Sequence, residues 1–452
     1  MSPWALAAAA ALFGLLGLLG SRFASRLASP ADGVFYRGVV YTMAGAVALH
    51  LVLTVLDFAG VRWSLPVLAL CGLVIAGIAA IASASPRPSS PPALFSRAWG
   101  DALALFALAV FAALALSGWI AMPDYIYHWG LKGHRFFLAR GVDYRFLAHR
   151  WSWSIHPDYP NLVPEMFAVT ALLAGVFDMP AMMLGSAALF ALLVAACREG
   201  LRQGGAPPFV QQAGTALVAL SSAAFGIGYI MAGAADWNLA LALAAAMPPW
   251  FRPPDRAGDF QIGVIAAFAA ASKIEGVPLA VFLVAVQVVR RAWAAPRLEL
   301  RPALAAGLLP AAVVLPWLGR AAHHHLFQPF NSGAIGLARA GEVFAGVGEA
   351  LRLPAWHGFL PVMFLPPLLL VPRRTRAFAT AATLELLFYF YVYFTTPVGN
   401  YRYFVLSNFP RLGFQLIPAC LVAALVAWGA SKSERPAGAL RGRPPAVPNE
   451  SA

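Results

Sequence analysis

Long apolar stretches separated by short polar segments run along almost the whole chain. A helix needs about 20 apolar residues to cross the ~30 Å hydrocarbon core of a bilayer, so each stretch predicts one membrane-spanning helix. The shorter stretches are expected to tilt or to pair as half-helices. The pattern predicts an all-α polytopic membrane protein with about thirteen transmembrane helices. The predicted spans are residues 4–20, 38–56, 63–83, 101–121, 179–197, 210–231, 236–251, 260–275, 276–290, 302–320, 358–372, 377–395 and 410–429.

The composition agrees with this interpretation, and the distribution of charge gives it an orientation. Of the 452 residues, 60% are hydrophobic and 11% are charged, whereas soluble domains carry about 25% charged residues. The net charge is +13, and 20 of the 32 basic residues fall in one set of alternating loops. Because basic residues concentrate in cytoplasmic loops, this set is predicted to be cytoplasmic, with the N-terminus outside. The positive charge then reflects topology and contact with anionic membrane lipids, and nucleic acid is not an expected partner.

The spans and two long outer connections divide the chain into four predicted segments. The first outer loop is aromatic and rich in histidine, since residues 122–161 hold ten aromatic residues and four of the nine histidines. A solvated loop would be poor in such side chains, so we expect short interfacial helices there and a functional role. A Ser/Pro-rich cytoplasmic linker is predicted at 83–92. The segments are N-terminal transmembrane helices (1–121), the first outer loop (122–178), a transmembrane core with a second outer loop at 321–357 (179–429), and a disordered cytoplasmic tail (430–452).

The first candidate motif begins the outer loop. Pro123 is typical of a first helical position, and at helical spacing Asp124, His128, Lys132 and Arg135 would share one face. Tyr127 and Trp129 flank His128 in the same helix. The alternative is that Asp124 stabilises the helix N-terminus while the cations face lipid head groups.

A second motif near the end of this loop is rich in proline. The segment His156-Pro-Asp158-Tyr159-Pro160 is predicted to form a rigid extended turn before the apolar stretch that holds Glu165. His156, Asp158 and Glu165 carry side chains that bind metals, but their spacing matches no ordinary metal motif. The sequence identifies no cofactor, and a divalent metal is a candidate.

Charged residues also stand at the outer ends of predicted spans. A carboxylate such as Asp236 at the start of a span is costly enough to be a functional candidate, and its alternative role is to cap the helix. Lys273 and Glu275 lie in the middle of an apolar stretch whose two ends are both predicted to be cytoplasmic. The stretch must therefore be a two-helix hairpin with this pair at its apex and Gly276 in the turn. A structural ion pair and a catalytic or substrate-binding role are both open for these two residues.

Two arginines precede and enter the last span. Arg402 and Arg411 lie in a tyrosine-rich stretch predicted to face outward, where they would suit a phosphate. The alternative is that Arg411 extends its side chain to the membrane surface. The chain has no P-loop, dinucleotide-binding glycine pattern, HExxH or GxSxG motif, so soluble-type nucleotide or hydrolase chemistry is not indicated.

Taken in order, the motifs between Asp124 and Arg411 resemble those of the GT-C superfamily of integral-membrane glycosyltransferases, which includes protein O-mannosyltransferases and aminoarabinose transferases. The resemblance implies transfer of a sugar from a polyprenyl-phosphate carrier to an envelope lipid, glycan or protein acceptor, outside the bacterial inner membrane. It also implies that Asp124 acts as general base on the acceptor or orients it, and that Asp236 is a second catalytic carboxylate. The chain departs from many members in having several spans before the first loop. The candidate substrate-binding residues are Tyr127, His128, Trp129, Lys132, His156, Asp158, Tyr159, Glu165, Lys273, Glu275, Arg402 and Arg411.

Two other classes of protein make different demands on the sequence. A transporter or lipid flippase would use Asp236 with the Lys273 and Glu275 pair, but it would be expected to carry polar residues along several helices and a site at the membrane midplane. The ionisable residues here are instead predicted to cluster at one membrane face. A purely structural role would not need so many charged and histidine side chains outside.

Overall fold

The computed structural model describes residues 2–22, 28–82, 99–294, 301–327, 336, 339–353, 358–396 and 400–433. The predicted linker at 83–92 lies outside these residues, and so does the predicted tail from residue 434 onward. Residues 430–433, which the sequence assigned to that tail, instead continue the last helix. The described residues form helices and no strand, apart from one isolated bridge between Ala121 and Ala232.

Sixteen α-helices follow one another in the described residues, and several described connections contain short helices of other kinds. The short helices are a π-helical turn at Tyr125–Trp129 and 3₁₀ helices at Arg150–Ile155, Leu360–Phe364 and Pro366–Leu370. The α-helices are α1 (Pro3–Ser21), α2 (Val34–Phe58), α3 (Leu65–Ala82), α4 (Trp99–Leu116), α5 (Gly130–Ala139), α6 (Tyr144–Leu147), α7 (Leu162–Ala174), α8 (Met179–Gln203), α9 (Pro208–Gly228), α10 (Asp236–Phe251), α11 (Arg256–Ser272), α12 (Gly276–Ala294), α13 (Arg301–His323), α14 (Ala340–Ala350), α15 (Arg376–Thr395) and α16 (Tyr401–Ser433).

Nine helices of the described part of the chain are long and apolar enough to cross a membrane: α1, α2, α4, α8, α9, α12, α13, α15 and α16. This finding confirms an all-α polytopic membrane protein, while the larger number of thirteen spans stays a prediction. Two of the other predicted spans, α10 and α11, have 16 and 17 residues, or roughly 24–26 Å at 1.5 Å per residue. The segment predicted as a span at 358–372 contains two five-residue 3₁₀ helices instead, because its prolines interrupt α-helical hydrogen bonding.

The two short helices form the centre of the bundle. Every residue of α10 from Asp236 to Trp250 is buried, and α11 is buried from Gly258 to Ser272 apart from Phe260. Alanine is frequent in both helices, and small side chains allow helices to approach closely. The pair is antiparallel, since Asn238 near the start of α10 donates a hydrogen bond to Ser272 at the end of α11 (2.9 Å). The start of α10 and the end of α11 therefore lie at the same end of the bundle.

The connection between α11 and α12 confirms the predicted hairpin. α11 ends at Ser272 and α12 begins at Gly276, so Lys273 and Glu275 lie at the apex. A Cβ atom at Gly276 would lie 1.9 Å from the backbone oxygen of Ala269. Only glycine permits this close approach, and the tight apex holds its two charged side chains beside the start of α10.

The first loop packs as short helices, as the sequence predicted, and hydrogen bonds tie its beginning to the connection before α10. Met122 donates to the carbonyl of Ala232 (2.9 Å), and Ala232 donates to Ile120 (3.0 Å). These bonds bring Asp124 close to the start of α10. The helix begins at Pro123 as expected, but its π-helical turn contains an extra residue and shifts the register of the side chains that follow.

Candidate functional site

One arginine joins two carboxylates that are far apart in the sequence. Arg411 of α16 places its Nη2 atom 2.6 Å from Asp124 Oδ2 and 3.1 Å from Asp236 Oδ2. Asp124 stands just before the π-helical turn with a quarter of its side chain exposed, whereas Asp236 is fully buried. The guanidinium of Arg411 therefore links a partly exposed carboxylate, Asp124, to a fully buried one, Asp236.

Asp236 is held by three partners. Besides Arg411, its Oδ1 atom accepts hydrogen bonds from Lys273 Nζ (3.2 Å) and from Gln415 Nε2 (2.5 Å). Charge-assisted hydrogen bonds of this kind offset the cost of burying a carboxylate. Because all of its surface is inside the protein, Asp236 fixes the positions of Lys273 and Arg411.

Lys273 and Glu275 pair across the hairpin apex. Lys273 Nζ lies 3.1 Å from Glu275 Oε1, so the lysine is shared between Glu275 and Asp236. We refer to Asp124, Asp236, Lys273, Glu275, Arg411 and Gln415 as the Arg411 cluster. It contains three carboxylates and two cations, and therefore one carboxylate more than its cations balance.

Three aromatic rings stack beside this cluster. His156 lies between His128, with ring centroids 5.0 Å apart, and Tyr159, with centroids 4.6 Å apart. His128 Nε2 is 3.8 Å from Asp124 Oδ1. His156 has a positive φ of 47°, a conformation that non-glycine residues rarely adopt. The stack thus connects the proline-rich turn to the Asp124 motif.

A buried lysine holds the strained residue in place. Lys132 donates from Nζ to the carbonyl of His156 (2.6 Å), and its ammonium group lies over the rings of Trp129 and Tyr159 at 5.2 and 5.9 Å. Lys132 has no exposed surface. It therefore supports the ring stack from behind and does not line the site.

Burial changes the protonation of this part of the loop. Loss of solvent lowers the pKa of Lys132 to about 7, with Asp158 opposing the change. Burial, followed by the nearby His128, lowers the pKa of His156 to about 3. Burial also lowers the pKa of His128, against the attraction of Asp124. Both histidines are therefore neutral at pH 7, and each keeps one ring nitrogen as an acceptor.

A polar cavity and an aromatic groove meet at this site. The polar cavity has a volume of about 60 Å³, enough for a few water molecules or a small anion. The groove is wider, about 440 Å³. His128 and Ile155 line both. The cavity is lined by Asp124, His128, Trp129, Ile155, His156, Tyr159, Lys273, Glu275, Asn408 and Arg411. The groove is lined by Tyr127, His128, Leu131, Phe146, His149, Trp151, Ser152 and Ile155.

Several polar atoms of the cavity-lining residues lack a hydrogen-bond partner among the described residues. They include the donors Nε1 of Trp129 and Nε of Arg411, and the acceptor Oε2 of Glu275. Buried polar groups are normally hydrogen-bonded in native proteins. A bound water or substrate that both donates and accepts hydrogen bonds would complete these groups.

The structure places three residues of the Asp124 motif differently from the expectation. Asp124 and His128 do share one face, but Lys132 turns inward and Arg135 pairs with Asp143 (2.7 Å), because the π-helical turn displaces the residues after it. The prediction that all four share one face is therefore wrong. Tyr127 is exposed, and it lines the groove but not the polar cavity.

Three more candidates contact other partners. Glu165 accepts a hydrogen bond from His50 Nδ1 (2.6 Å), and both side chains are buried. Arg402 is exposed and pairs with Glu349 of α14 (2.5 Å), so it does not reach the site. Asp158 accepts a hydrogen bond at its backbone oxygen from Trp317 (2.9 Å).

Sequence reasoning missed three buried polar residues, Gln415, His50 and Glu385. Gln415 also accepts a hydrogen bond from Tyr389 (2.5 Å), which extends the cluster into α15. His50 and Glu385 are each the sole acidic, basic or histidine residue of a mostly apolar predicted span. That isolation was a usable signal, because such residues within spans are rare and mark function.

No group of three His, Cys, Asp or Glu side chains in the described residues is arranged to hold a metal ion. Glu165 is engaged with His50, so the predicted set of His156, Asp158 and Glu165 does not assemble. The part of the chain that the structure describes therefore contains no set of ligands for the predicted metal site.

Comparison of the chain with protein-family models, curated proteins and solved structures finds no match.

Proposed function

We propose that the chain is a membrane glycosyltransferase that transfers a sugar from a polyprenyl-phosphate carrier to an envelope lipid, glycan or protein acceptor. The observation that carries the proposal is the polar cavity, where a partly exposed carboxylate, two cations and neutral histidines meet beside an aromatic groove. Glycosyl transfer with inversion needs a base for the attacking hydroxyl and cationic groups for the departing phosphate.

Asp124 is the base in this proposal. Its carboxylate lines the cavity, and Arg411 and His128 hold it in place. The acceptor hydroxyl attacks the anomeric carbon while its proton moves to Asp124. The bond between that carbon and the phosphate oxygen breaks, and the electron pair leaves with the phosphate.

Lys273 and Arg411 stabilise the charge that develops on the leaving phosphate. Both line the cavity, and the Nε–H of Arg411 has no acceptor among the described residues. Asp236 was predicted to be catalytic, but its complete burial behind these cations supports a positioning role. Glu275 partly neutralises Lys273, which favours release of the phosphate after transfer.

The proposal includes a location. The Arg411 cluster lies at the end of the bundle that the distribution of basic residues predicts to be extracytoplasmic. We also propose that the chain crosses a bacterial inner membrane about thirteen times, with its C-terminus in the cytoplasm. The apolar surfaces of the nine long helices offer a place for the isoprenoid tail.

The test is transfer by the purified chain in proteoliposomes. Polyprenyl-phosphate sugars with a radiolabelled sugar are added together with lipid extracts, glycans or envelope proteins, and labelled products are separated by chromatography. Mass spectrometry of the envelope with and without the gene identifies the sugar to supply. We expect product with the native chain and a loss of product with Asp124→Asn. Full activity of the Asp124→Asn variant would refute the site, and the absence of product from every donor found in the envelope would refute the function.

A second candidate function is transport, and one observation favours it. Glu385 in the middle of α15 is fully buried, and neither carboxylate oxygen accepts a well-aligned hydrogen bond among the described residues. Intramembrane carboxylates often mark ion or substrate pathways. Uptake of labelled lipid-linked sugar or its head group by vesicles, without a glycosyl product and dependent on Glu385, would support transport over transfer.

A further inference from the structure

The aromatic groove beside the polar cavity has the chemistry of a carbohydrate subsite. Tyr127, Phe146 and Trp151 supply flat apolar rings, while His128, His149 and Ser152 supply polar atoms along the same surface. We propose that this groove binds a pyranose ring, stacked on Trp151 or Tyr127 with its hydroxyl groups facing the polar side chains.

The composition of the groove matches the two kinds of surface on a pyranose. Such a ring has an apolar face of C–H bonds and a rim of hydroxyl groups. Binding sites for small molecules combine aromatic surface with a few placed polar groups, which set orientation. The hydroxyl of Ser152 donates to the carbonyl of Phe146 (2.5 Å), which leaves its oxygen lone pairs to accept from a ligand.

The position of the groove relates the ring to the chemistry. His128 lines both the groove and the polar cavity, and its Nε2 atom lies 3.8 Å from Asp124. A ring in the groove is thus separated from the carboxylate by one imidazole. This inference rests on the proposed function for the role of the ring, but binding itself is measured without any transfer.

Membrane anchoring and lipid binding are the two competing roles for these aromatic residues. Tryptophan and tyrosine anchor many membrane proteins at the interface, without any ligand. An apolar groove also accepts an isoprenoid or acyl chain. Trp119 provides a matched control for anchoring, because it is 81% exposed, follows α4 just before the first loop and does not line the groove. Trp151 is 73% exposed, so neither substitution opens a cavity in the core.

The experiment is saturation-transfer difference NMR on the full chain in lipid nanodiscs, which avoids detergents with sugar head groups. The probes are methyl glycosides of glucose, galactose, mannose, N-acetylglucosamine and arabinopyranose at millimolar concentration. Cyclohexylmethanol has a six-membered ring of similar size with few polar groups, and it represents an apolar ligand. We expect transfer to the ring protons of at least one glycoside, and a roughly two- to tenfold weaker affinity in Trp151→Ala, as for the loss of one aromatic contact.

The controls decide between sugar binding, anchoring and lipid binding. Binding that is retained in Trp119→Ala but weakened in Trp151→Ala and Tyr127→Ala supports the inference. Absence of glycoside binding, equal weakening in Trp119→Ala, or equally strong binding of cyclohexylmethanol would overturn it. A thermal unfolding midpoint equal to that of the native chain verifies that each variant is folded.

The bound pyranose is either the donor sugar or part of a glycan acceptor. Measuring KM separately for the donor and for the acceptor distinguishes the two. A rise in KM for the lipid-linked donor in Trp151→Ala assigns the groove to the donor sugar, and a rise in KM for the acceptor assigns it to a glycan acceptor. Glycoside binding without any transfer would refute the proposed function and leave the subsite intact. Transfer without glycoside binding would refute the subsite alone.

Discussion

Two networks of buried charge lie at opposite ends of α10, and they differ in their surroundings. The Arg411 cluster surrounds Asp236 at the first residue of the helix. A second network, the Asp32 cluster, surrounds Arg252 just after its last residue. It consists of Asp32, Arg252, Asp255, Asp259, Gln261, Gln287, Arg290 and Arg291. Their differences indicate which features make a buried ionic network a candidate site.

The Asp32 cluster is balanced in charge and compact. Arg252 contacts Asp32 directly, and Gln261 donates to the same carboxylate (2.6 Å). Asp259 lies 3.0 Å from Arg291 and accepts from Gln287 (2.7 Å). Its three aspartates face three arginines, and it lines neither the polar cavity nor the groove. These contacts tie α10, α11 and α12 to the segment before α2.

The Arg411 cluster has similar ingredients in a different setting. It has one more carboxylate than cations, and one of its carboxylates, Asp124, comes from the loop after α4 and lies beside a cavity. Ionic pairing alone therefore does not distinguish a site from a structural clamp, because both networks have it. The open cavity and the surplus carboxylate make the difference.

The largest expected effect is on the rate of transfer, and it is tested by substituting one carboxylate of each network. Asp124→Asn is expected to lower transfer by roughly 10²–10⁴-fold, the usual contribution of a general base. Asp255→Asn is the matched control, since Asp255 is also partly exposed and asparagine preserves its cap on α11. Initial rates in proteoliposomes measure both. Equal losses in the two variants would abolish the distinction between the networks.

The next effect concerns the buried arginines, where the networks should behave alike in stability. Arg411→Gln leaves Asp124 without its cation, and Arg252→Gln does the same to Asp32. Each loss costs roughly 3–5 kcal/mol. Thermal unfolding in one detergent measures this loss for both. Below the unfolding transition, only Arg411→Gln should lose transfer. A folded Arg411→Gln variant with native activity would remove the arginine from the mechanism.

A smaller effect is the pH dependence that Lys132 imposes on the Arg411 end. Its pKa is lowered to about 7 in the folded protein and is about 10.4 in the unfolded chain. Between these values the unfolded chain binds more protons, so stability rises as the pH rises from about 7 to 10. Lys132→Met should flatten this rise in the thermal midpoint. An unchanged slope in that variant would show that the lysine is charged in the folded state.

The smallest effect is expected from the surface pair. Arg402 is exposed and contacts Glu349, and exposed ion pairs contribute little. Arg402→Gln should therefore leave both the midpoint and the rate of transfer as in the native chain, in contrast to Arg411→Gln. A loss of donor affinity in Arg402→Gln would place that arginine in the phosphate site, as its sequence context predicts.

Much of the candidate site could be predicted from the sequence because its charges stand where charges are costly. Asp236, the Lys273 and Glu275 pair, and Arg411 all interrupt or border apolar stretches. Alternation of membrane sides then predicted that they would meet at one face. The contacts of Arg402 with Glu349 and of Glu165 with His50 were not predictable, since each depends on which helices become neighbours.

The directions of side chains inside the first loop were also not predictable from the sequence. Helical spacing put Lys132 on the face of Asp124, but the π-helical turn rotated it inward. A single additional residue in a turn changes the direction of every side chain after it. Gln415 was missed because an amide in an apolar helix carries no charge to draw attention.

The amino-acid sequence is enough to predict a helical membrane protein, the positions of most of its long helices, and the charges of Asp236, Lys273 and Arg411 within or beside apolar stretches. Hydrophobic length and the cost of charge in lipid are local properties, so the chain displays them directly. The bridge of Arg411 between Asp124 and Asp236, the burial of Lys132 and the cavity beside them follow from tertiary packing alone. Packing brings together residues up to 287 positions apart in sequence, from Asp124 to Arg411, and no local pattern specifies such contacts.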